Sequence, residues 1–161
     1  MKTRFPLALG SLLALALVVP ATPVVADEGL DSLIQTLRSD LGQRRDSALS
    51  TLVELDGDKK EAFWDLTKAY DEEHRKITEQ RVALIKEWGK IYTDLTPEQA
   101  RDIAERAFDL NDARTELKRK YFRKIADEVS AVAAAQFVQL QTQFEVMADA
   151  KLSVSVPLAG F

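Results

Sequence analysis

Apolar residues recur every three or four positions along most of the chain, a spacing that predicts α-helices. The clearest pattern is a seven-residue repeat in the middle of the chain, which keeps one face of a long helix against a neighbouring helix. The repeat predicts a helix over residues 59–92. Its five members are Phe63, Tyr70, Ile77, Leu84 and Ile91.

A signal that starts a new helix follows directly, because Leu95 to Gln99 has the sequence LTPEQ. Thr96 is a favourable N-cap, and Pro97 suits the first helical position, where its missing N–H is not needed. The Gln99 side chain can accept a hydrogen bond from the backbone N–H of the cap. A helix over residues 97–128 therefore begins where the previous helix ends. So short a connection predicts an all-α fold built on a long antiparallel helical hairpin.

Two further helices are predicted, one on each side of the hairpin. The first covers residues 30–55, either as one helix or as two short ones, because Gly42 weakens its middle. Asp58 is expected to cap the second helix of the chain. Ser130 is expected to cap a fourth helix over residues 131–152.

The chain after the fourth helix changes pattern. Residues 153–161 begin with alternating polar and apolar side chains, and a helix does not continue through Pro157. These residues are predicted to form an extended C-terminal tail. The helical domain is then residues 27–152, and no domain boundary is visible inside it.

Residues 1–26 have the features of a secretory signal peptide. Lys2 and Arg4 precede an apolar stretch, and small residues lie just before Asp27. Cleavage after Ala21 is an alternative. An uncleaved membrane anchor is another, because the apolar stretch is nearly long enough to span a bilayer, although prolines interrupt it. Cleavage before Asp27 predicts an exported protein with no membrane insertion.

Charge and composition exclude several classes of function. The whole chain has a net charge of −4, and removing Lys2 and Arg4 leaves 20 basic against 26 acidic residues, a net charge of −6. Nucleic-acid binding is not expected of so acidic a domain. The chain has no cysteine, which excludes thiol catalysis and cysteine-based metal sites. Neither a nucleophile–base motif nor a phosphate-binding glycine loop is present, so we expect no enzyme activity and no cofactor.

His74 is the only histidine in the sequence. It falls on or beside the apolar face between Tyr70 and Ile77. A transition-metal site usually needs three or four converging donors, and the neighbouring turns supply too few. We therefore expect a packed or interface histidine and no metal site.

The LTPEQ stretch, with Leu95, Thr96 and Gln99, resembles the LTxxQ motif of the Spy/CpxP family of bacterial periplasmic proteins. The stretch from Ala133 to Gln141 and the final Val-Pro-Leu at 156–158 are similar to the C-terminal part of that wider group. The resemblance implies a periplasmic location and a helical hairpin that dimerises into a cradle. It also implies binding of unfolded clients without ATP, or restraint of an envelope-stress sensor.

Two departures from that family bear on activity. The chain lacks the second LTxxQ that the characterised chaperones carry near the end of the helical region. The client-binding surface of those chaperones is typically basic, whereas this domain is acidic. We therefore expect the family's fold to apply to this chain more closely than its chaperone activity.

Four residues are candidates for client binding. Arg81 and Arg114 fall near the buried face of the hairpin, where Arg81 is expected to pair with Asp109 or Asp112; alternatively, both arginines face a client. Trp64 and Phe122 are each the second member of an adjacent aromatic pair, so they point away from the main apolar stripe. Either the first or fourth helix covers these two aromatics, or they belong to an exposed binding patch. The four candidates are Trp64, Phe122, Arg81 and Arg114.

Two classes of function follow. The first is a periplasmic binding module, a chaperone-like protein or a stress adaptor, with unfolded or envelope proteins as partners. The second is a structural or assembly protein of the cell envelope that self-associates, as in a homodimer, or docks to one partner through its hairpin.

Overall fold

The computed structural model describes residues 27–153, and this part of the chain consists of four helices joined by short turns, which confirms the predicted all-α fold. The first helix continues through Gly42, so the alternative of two short helices is wrong; one glycine costs a helix only about 1 kcal/mol. Residues 1–26 and 154–161, which carry the predicted signal peptide and most of the predicted tail, lie outside the described residues. The helices are α1 (Asp27–Leu52), α2 (Gly57–Ile91), α3 (Pro97–Glu128) and α4 (Ala131–Ser153).

The start of α3 has the predicted capping box. The backbone N–H of Gln99 donates to the Thr96 hydroxyl at 3.3 Å, and the Thr96 N–H donates to the Gln99 side chain at 3.0 Å. Pro97 occupies the first turn, as predicted. At the start of α4, the Ala133 N–H donates to the Ser130 hydroxyl at 3.1 Å, so Ser130 is a cap as well.

The predicted cap of α2 is wrong. Asp58 lies inside the first helical turn, and Asp56 occupies the N-cap position with an extended backbone. Asp56 makes no side-chain hydrogen bond to the helix. Helix α2 begins earlier than predicted because Gly57, at φ +56°, turns the chain into it. The carboxylate of Asp58 then lies near the positive end of the helix dipole, where negative charge is favourable.

Ion pairs define how the helices run relative to one another. Glu87 of α2 accepts two hydrogen bonds from Arg106 of α3 near the connecting turn, and Lys120 of α3 donates to Glu73 farther from it. The contacts between α2 and α3 therefore run in opposite directions along the two helices. Helix α4 is antiparallel to α3. Lys118 pairs with Glu145, whereas Arg114, which comes earlier on α3, pairs with Asp149, which comes later on α4.

Helix α1 packs mainly on α4, and it approaches α2 closely at almost no point. The largest apolar core joins all four helices, and the buried rings of α2, α3 and α4 within it meet edge to face. Tyr70 contacts Phe137 with ring centroids 5.1 Å apart and Tyr121 with centroids 5.4 Å apart. A second, smaller core joins α1 and α4 through Leu37, Leu41 and Leu152. The space between α1 and α2 is left open.

Candidate functional site

An apolar groove lies between α1 and α2, with α4 and part of α3 as its floor. It encloses a cavity of about 340 Å³. The groove exists because α1 packs on α4 and its backbone stays away from that of α2, although Ile85 of α2 packs against the small core that contains Leu37 and Leu41 of α1. Six of the apolar side chains that line it are Ile34, Leu41, Ile77, Val82, Ile85 and Phe144.

A polar network closes one end of the groove. Arg45 of α1 donates to both carboxylate oxygens of Asp71 on α2, at 2.5 and 2.6 Å. The same guanidinium donates to Gln141 of α4 at 3.2 Å, and Gln141 donates to Glu145 at 3.3 Å. The side chain of Arg45 is buried, and its pKa lies above the ordinary range: burial lowers this pKa, but the bonds and charge of Asp71 outweigh burial.

Glu145 is the most heavily bonded carboxylate in the groove. Its oxygens accept hydrogen bonds from Lys118 at 2.7 Å and from the Tyr70 hydroxyl at 3.2 Å, and His74 Nε2 lies 3.5 Å away. Burial alone would raise the pKa of Glu145. Hydrogen bonds from His74 and Lys118, with the charges of Lys118 and Arg114, lower that pKa to about 2. Glu145 therefore remains a buried carboxylate ion at neutral pH.

The positions of Tyr70 and His74 follow from the same network. The Tyr70 hydroxyl is buried beside Glu145; burial and the Glu145 charge raise its pKa far above the ordinary value. His74 stacks on the Tyr70 ring, with centroids 5.4 Å apart and the planes 15° from parallel. The prediction of a packed histidine is confirmed. Among the described residues, no group of three or more His, Cys, Asp or Glu side chains could hold a metal ion.

Both predicted arginines lie in the groove, but the predicted ion pair of Arg81 is wrong. Arg81 pairs with Asp149 of α4, and not with Asp109 or Asp112 of α3. Arg114 of α3 pairs with the same carboxylate at 3.1 Å. Helix α4 packs on α3, and Asp149 lies within ion-pair distance of an arginine of α3 and of an arginine of α2.

The groove is locally positive in an acidic protein. Three carboxylates line it, those of Asp71, Glu145 and Asp149, against five arginines. Every buried side-chain nitrogen and oxygen in the described part of the chain has a hydrogen-bond partner. The arginines that line the groove are Arg38, Arg45, Arg75, Arg81 and Arg114.

The two aromatic candidates differ in exposure. Trp64 is half-buried, packs on the main core and meets the Phe63 ring edge to face at 5.5 Å. Phe122 is 38% exposed on α3. The pattern did not single out Phe108, which is 66% exposed on the same helix. An exposed phenylalanine and a buried one at helical spacing cannot be told apart before the neighbouring helices are placed.

The residues of the LTPEQ motif do not line the groove. Thr96 and Gln99 serve as the capping box, and Leu95 is half-buried in the turn between α2 and α3. Glu145 and Asp149 of α4 were not among the residues predicted from the sequence. The sequence does contain a signal that could have identified Glu145, because it is the single charged residue between Val129 and Ala148. A lone charge in an apolar stretch is usually buried with a partner.

Comparison with known proteins gives no relative: models of protein families, the curated proteins and the solved structures all return no match. Within residues 27–153, no helix combines the length and the apolar character needed to cross a membrane.

Proposed function

We propose that this protein is a periplasmic binding protein, similar to the Spy/CpxP family, that holds apolar segments of unfolded proteins without ATP. The observation that carries the proposal is the exposure of large apolar side chains on α3 and α4. Phe108 and Phe122 are exposed on α3, and Val132, Val146 and Met147 are exposed on α4. Large exposed apolar surfaces are typical of sites that bind other proteins.

The spacing of these residues places them on shared faces. Phe108 and Phe122 are 14 positions apart, which is close to four whole helical turns, so they project from the same side of α3. Val132 and Val146 have the same spacing on α4. Since α3 and α4 pack side by side, each helix presents two exposed apolar side chains about four turns apart, with polar side chains between them. An extended, unfolded segment that spans four turns contacts both apolar side chains of one helix.

The character of α4 supports apolar recognition. No charged residue occurs from Val129 to Phe144, so the outer face of this part of α4 is uncharged. Met147 adds a flexible side chain that can adapt to different partners. Binding through such a surface should survive added salt, because screening weakens charge interactions and not apolar contacts.

The test is light scattering from an aggregating client protein, with no nucleotide present. Wild type should delay aggregation, and Phe108→Ser/Phe122→Ser should weaken that effect. Leu52→Ser is the matched control, because it removes an exposed apolar side chain from the end of α1. No protection by wild type at stoichiometric excess rejects the proposal, provided that the protein is folded by circular dichroism.

The second candidate is an assembly protein of the envelope that pairs through the outer face of α4. The exposure of Val132 and Val146, together with the absence of charge from Val129 to Phe144, favours it, since the centre of a stable interface is depleted in charge. The oligomeric state of the purified protein, measured by sedimentation, distinguishes the two candidate functions. A concentration-dependent dimer that Val132→Glu/Val146→Glu abolishes, together with no client protection, supports the assembly protein.

A further inference from the structure

We propose that the groove between α1 and α2 binds one long-chain carboxylate, a fatty acid in the anionic form. Its tail lies along the apolar walls, and its carboxylate lies at the side of the groove where Arg38 of α1 and Arg75 of α2 are found. This inference goes beyond the proposed function. It also concerns a different surface from the exposed apolar side chains on α3 and α4.

The size of the groove favours a small ligand. Its volume of about 340 Å³ is near the lower end of the range for small-molecule sites, roughly 300 to 1,000 Å³. The walls supply apolar contact from α1, α2 and α4, including Leu41, Ile77 and Phe144. One flexible hydrocarbon chain fits this description.

The charges in the groove favour an anionic headgroup. Asp71 accepts from Arg45, Asp149 pairs with both Arg81 and Arg114, and Glu145 lies 3.7 Å from Arg114, so these three arginines face the three carboxylates of the groove. Arg38 is different, because it has no ion pair with any side chain that the structure describes.

Arg75 is the second arginine of the lining that pairs with none of the three carboxylates of the groove. It pairs only with Glu79 on its own helix, in an exposed contact of a kind that contributes little. Arg38 and Arg75 belong to facing helices and line the same groove. They make its lining positive although the whole chain is acidic. A carboxylate is the complementary group, and arginine binds carboxylates through two parallel hydrogen bonds.

Gly42 offers a position from which the groove can be filled. This residue lines the groove from α1, and a Cβ placed there would meet no other atom within 4 Å. The wall of the groove is therefore open at this position. A large side chain at residue 42 can enter the groove without displacing the neighbouring helices, which makes it a direct probe of occupancy.

The experiment is titration calorimetry of the full chain with hexadecanoate below its micelle concentration. Hexadecanol and hexadecylamine serve as the neutral and cationic comparisons. We expect hexadecanoate to bind with one site per chain, and at least tenfold more tightly than either comparison. Equal affinity for the acid and the alcohol would overturn the role of the arginines, and absence of binding would overturn the site.

Two pairs of variants locate the ligand. Gly42→Phe should weaken binding at least tenfold, whereas Ser39→Phe, on α1 but outside the groove lining, should not. Arg38→Gln should weaken binding of hexadecanoate several-fold and leave hexadecanol unchanged, whereas Arg44→Gln should alter neither. Unchanged binding in both Gly42→Phe and Arg38→Gln contradicts the proposal.

Two further ligands identify the source of the headgroup. A lysophospholipid that binds more tightly than hexadecanoate overturns the assignment to a free fatty acid. If an unfolded, fatty-acid-free client protein displaces hexadecanoate in competition, clients bind in the groove as well. That result would contradict the proposal that the fatty acid and the client use different surfaces. The aggregation assay uses Phe108 and Phe122, so failure of one proposal can be told from failure of the other.

Discussion

Arg45 of α1 and Asp71 of α2 form a bidentate ion pair across the gap between the two helices. Its two hydrogen bonds measure 2.5 and 2.6 Å, and the side chain of Arg45 is 10% exposed against 40% for Asp71. At the other end of the gap, Lys86 donates to the exposed Asp31 at 2.8 Å. These two pairs link α1 to α2 on either side of the groove, and the buried pair is the stronger of the two.

Replacing Asp71 should lower the unfolding free energy more than replacing Arg45. Asp71→Ala leaves a buried guanidinium with only Asp46 and Gln141, and we expect it to cost about 3 kcal/mol of unfolding free energy. Arg45→Met leaves a carboxylate that water can reach, so its cost should be smaller. Urea denaturation of both variants and of the double variant checks this. If the two single costs simply add, the pair is not coupled in solution.

Loss of the capping box should destabilise the start of α3. Thr96→Ala is expected to lower the unfolding free energy by about 1 kcal/mol, because the Gln99 N–H loses its acceptor. Gln99→Ala removes the reciprocal bond, so the double variant should cost less than the two single changes together. Thr93→Ala, in the preceding turn, is the control. Thermal midpoints equal to wild type would show that the box contributes nothing.

Glu145 should make the fold sensitive to acid. Its pKa is lowered from 4.5 to about 2 in the folded protein, so the stabilisation is fully present above pH 4.5 and is lost as the pH falls towards 2. The size of this loss is on the order of 3 kcal/mol. Glu145→Gln should be less stable at pH 7, because it leaves Lys118 without its carboxylate and Arg114 with Asp149 alone.

The same variant should lose less stability than wild type between pH 5 and pH 2.5. Urea denaturation at several pH values measures the difference. The pKa of Glu73 is also lowered, chiefly by Lys120, so wild type and variant must be compared at each pH. Glu116→Gln, at an exposed position, is the control and should follow wild type. Parallel curves for Glu145→Gln and wild type would contradict the role of Glu145.

Replacement of Gly42 and of Gly57 with alanine should change the unfolding free energy in opposite directions. Gly42 is helical with open space around it, so Gly42→Ala should raise the unfolding free energy by up to about 1 kcal/mol. Gly57 has φ +56°, which an alanine adopts only with strain, so Gly57→Ala should lower that free energy by about 1 kcal/mol. Chemical denaturation of both variants tests this pair. The same sign for both would contradict the backbone argument.

The exported protein should begin near Asp27, since the small residues before it are typical of a cleavage site. N-terminal sequencing of the protein from a periplasmic fraction measures the start directly. A start at Thr22 would show that the alternative site after Ala21 is used. Recovery only from the membrane, with Met1 in place, would instead support an uncleaved anchor.

Much of the fold could be predicted from the sequence because helical signals are local. The seven-residue repeat from Phe63 to Ile91 and the capping box at Thr96 depend on residues within a few turns of one another. These local signals predicted four helices, and their boundaries agree with the structure to within three residues. The error at Asp58 is also local, since Asp56 and Asp58 are both good capping residues and only the backbone at Gly57 distinguishes them.

The tertiary structure decided which side chains meet. Sequence spacing placed Arg81 opposite α3, but its partner is Asp149, 68 positions away on a helix whose packing no local signal specifies. The groove had no signature either, because Ile77 belongs to the same seven-residue repeat as the buried Tyr70 and Leu84. Periodicity determines the face on which an apolar residue lies. Only the packing of α1 on α4, and its distance from α2, determines whether that face is covered.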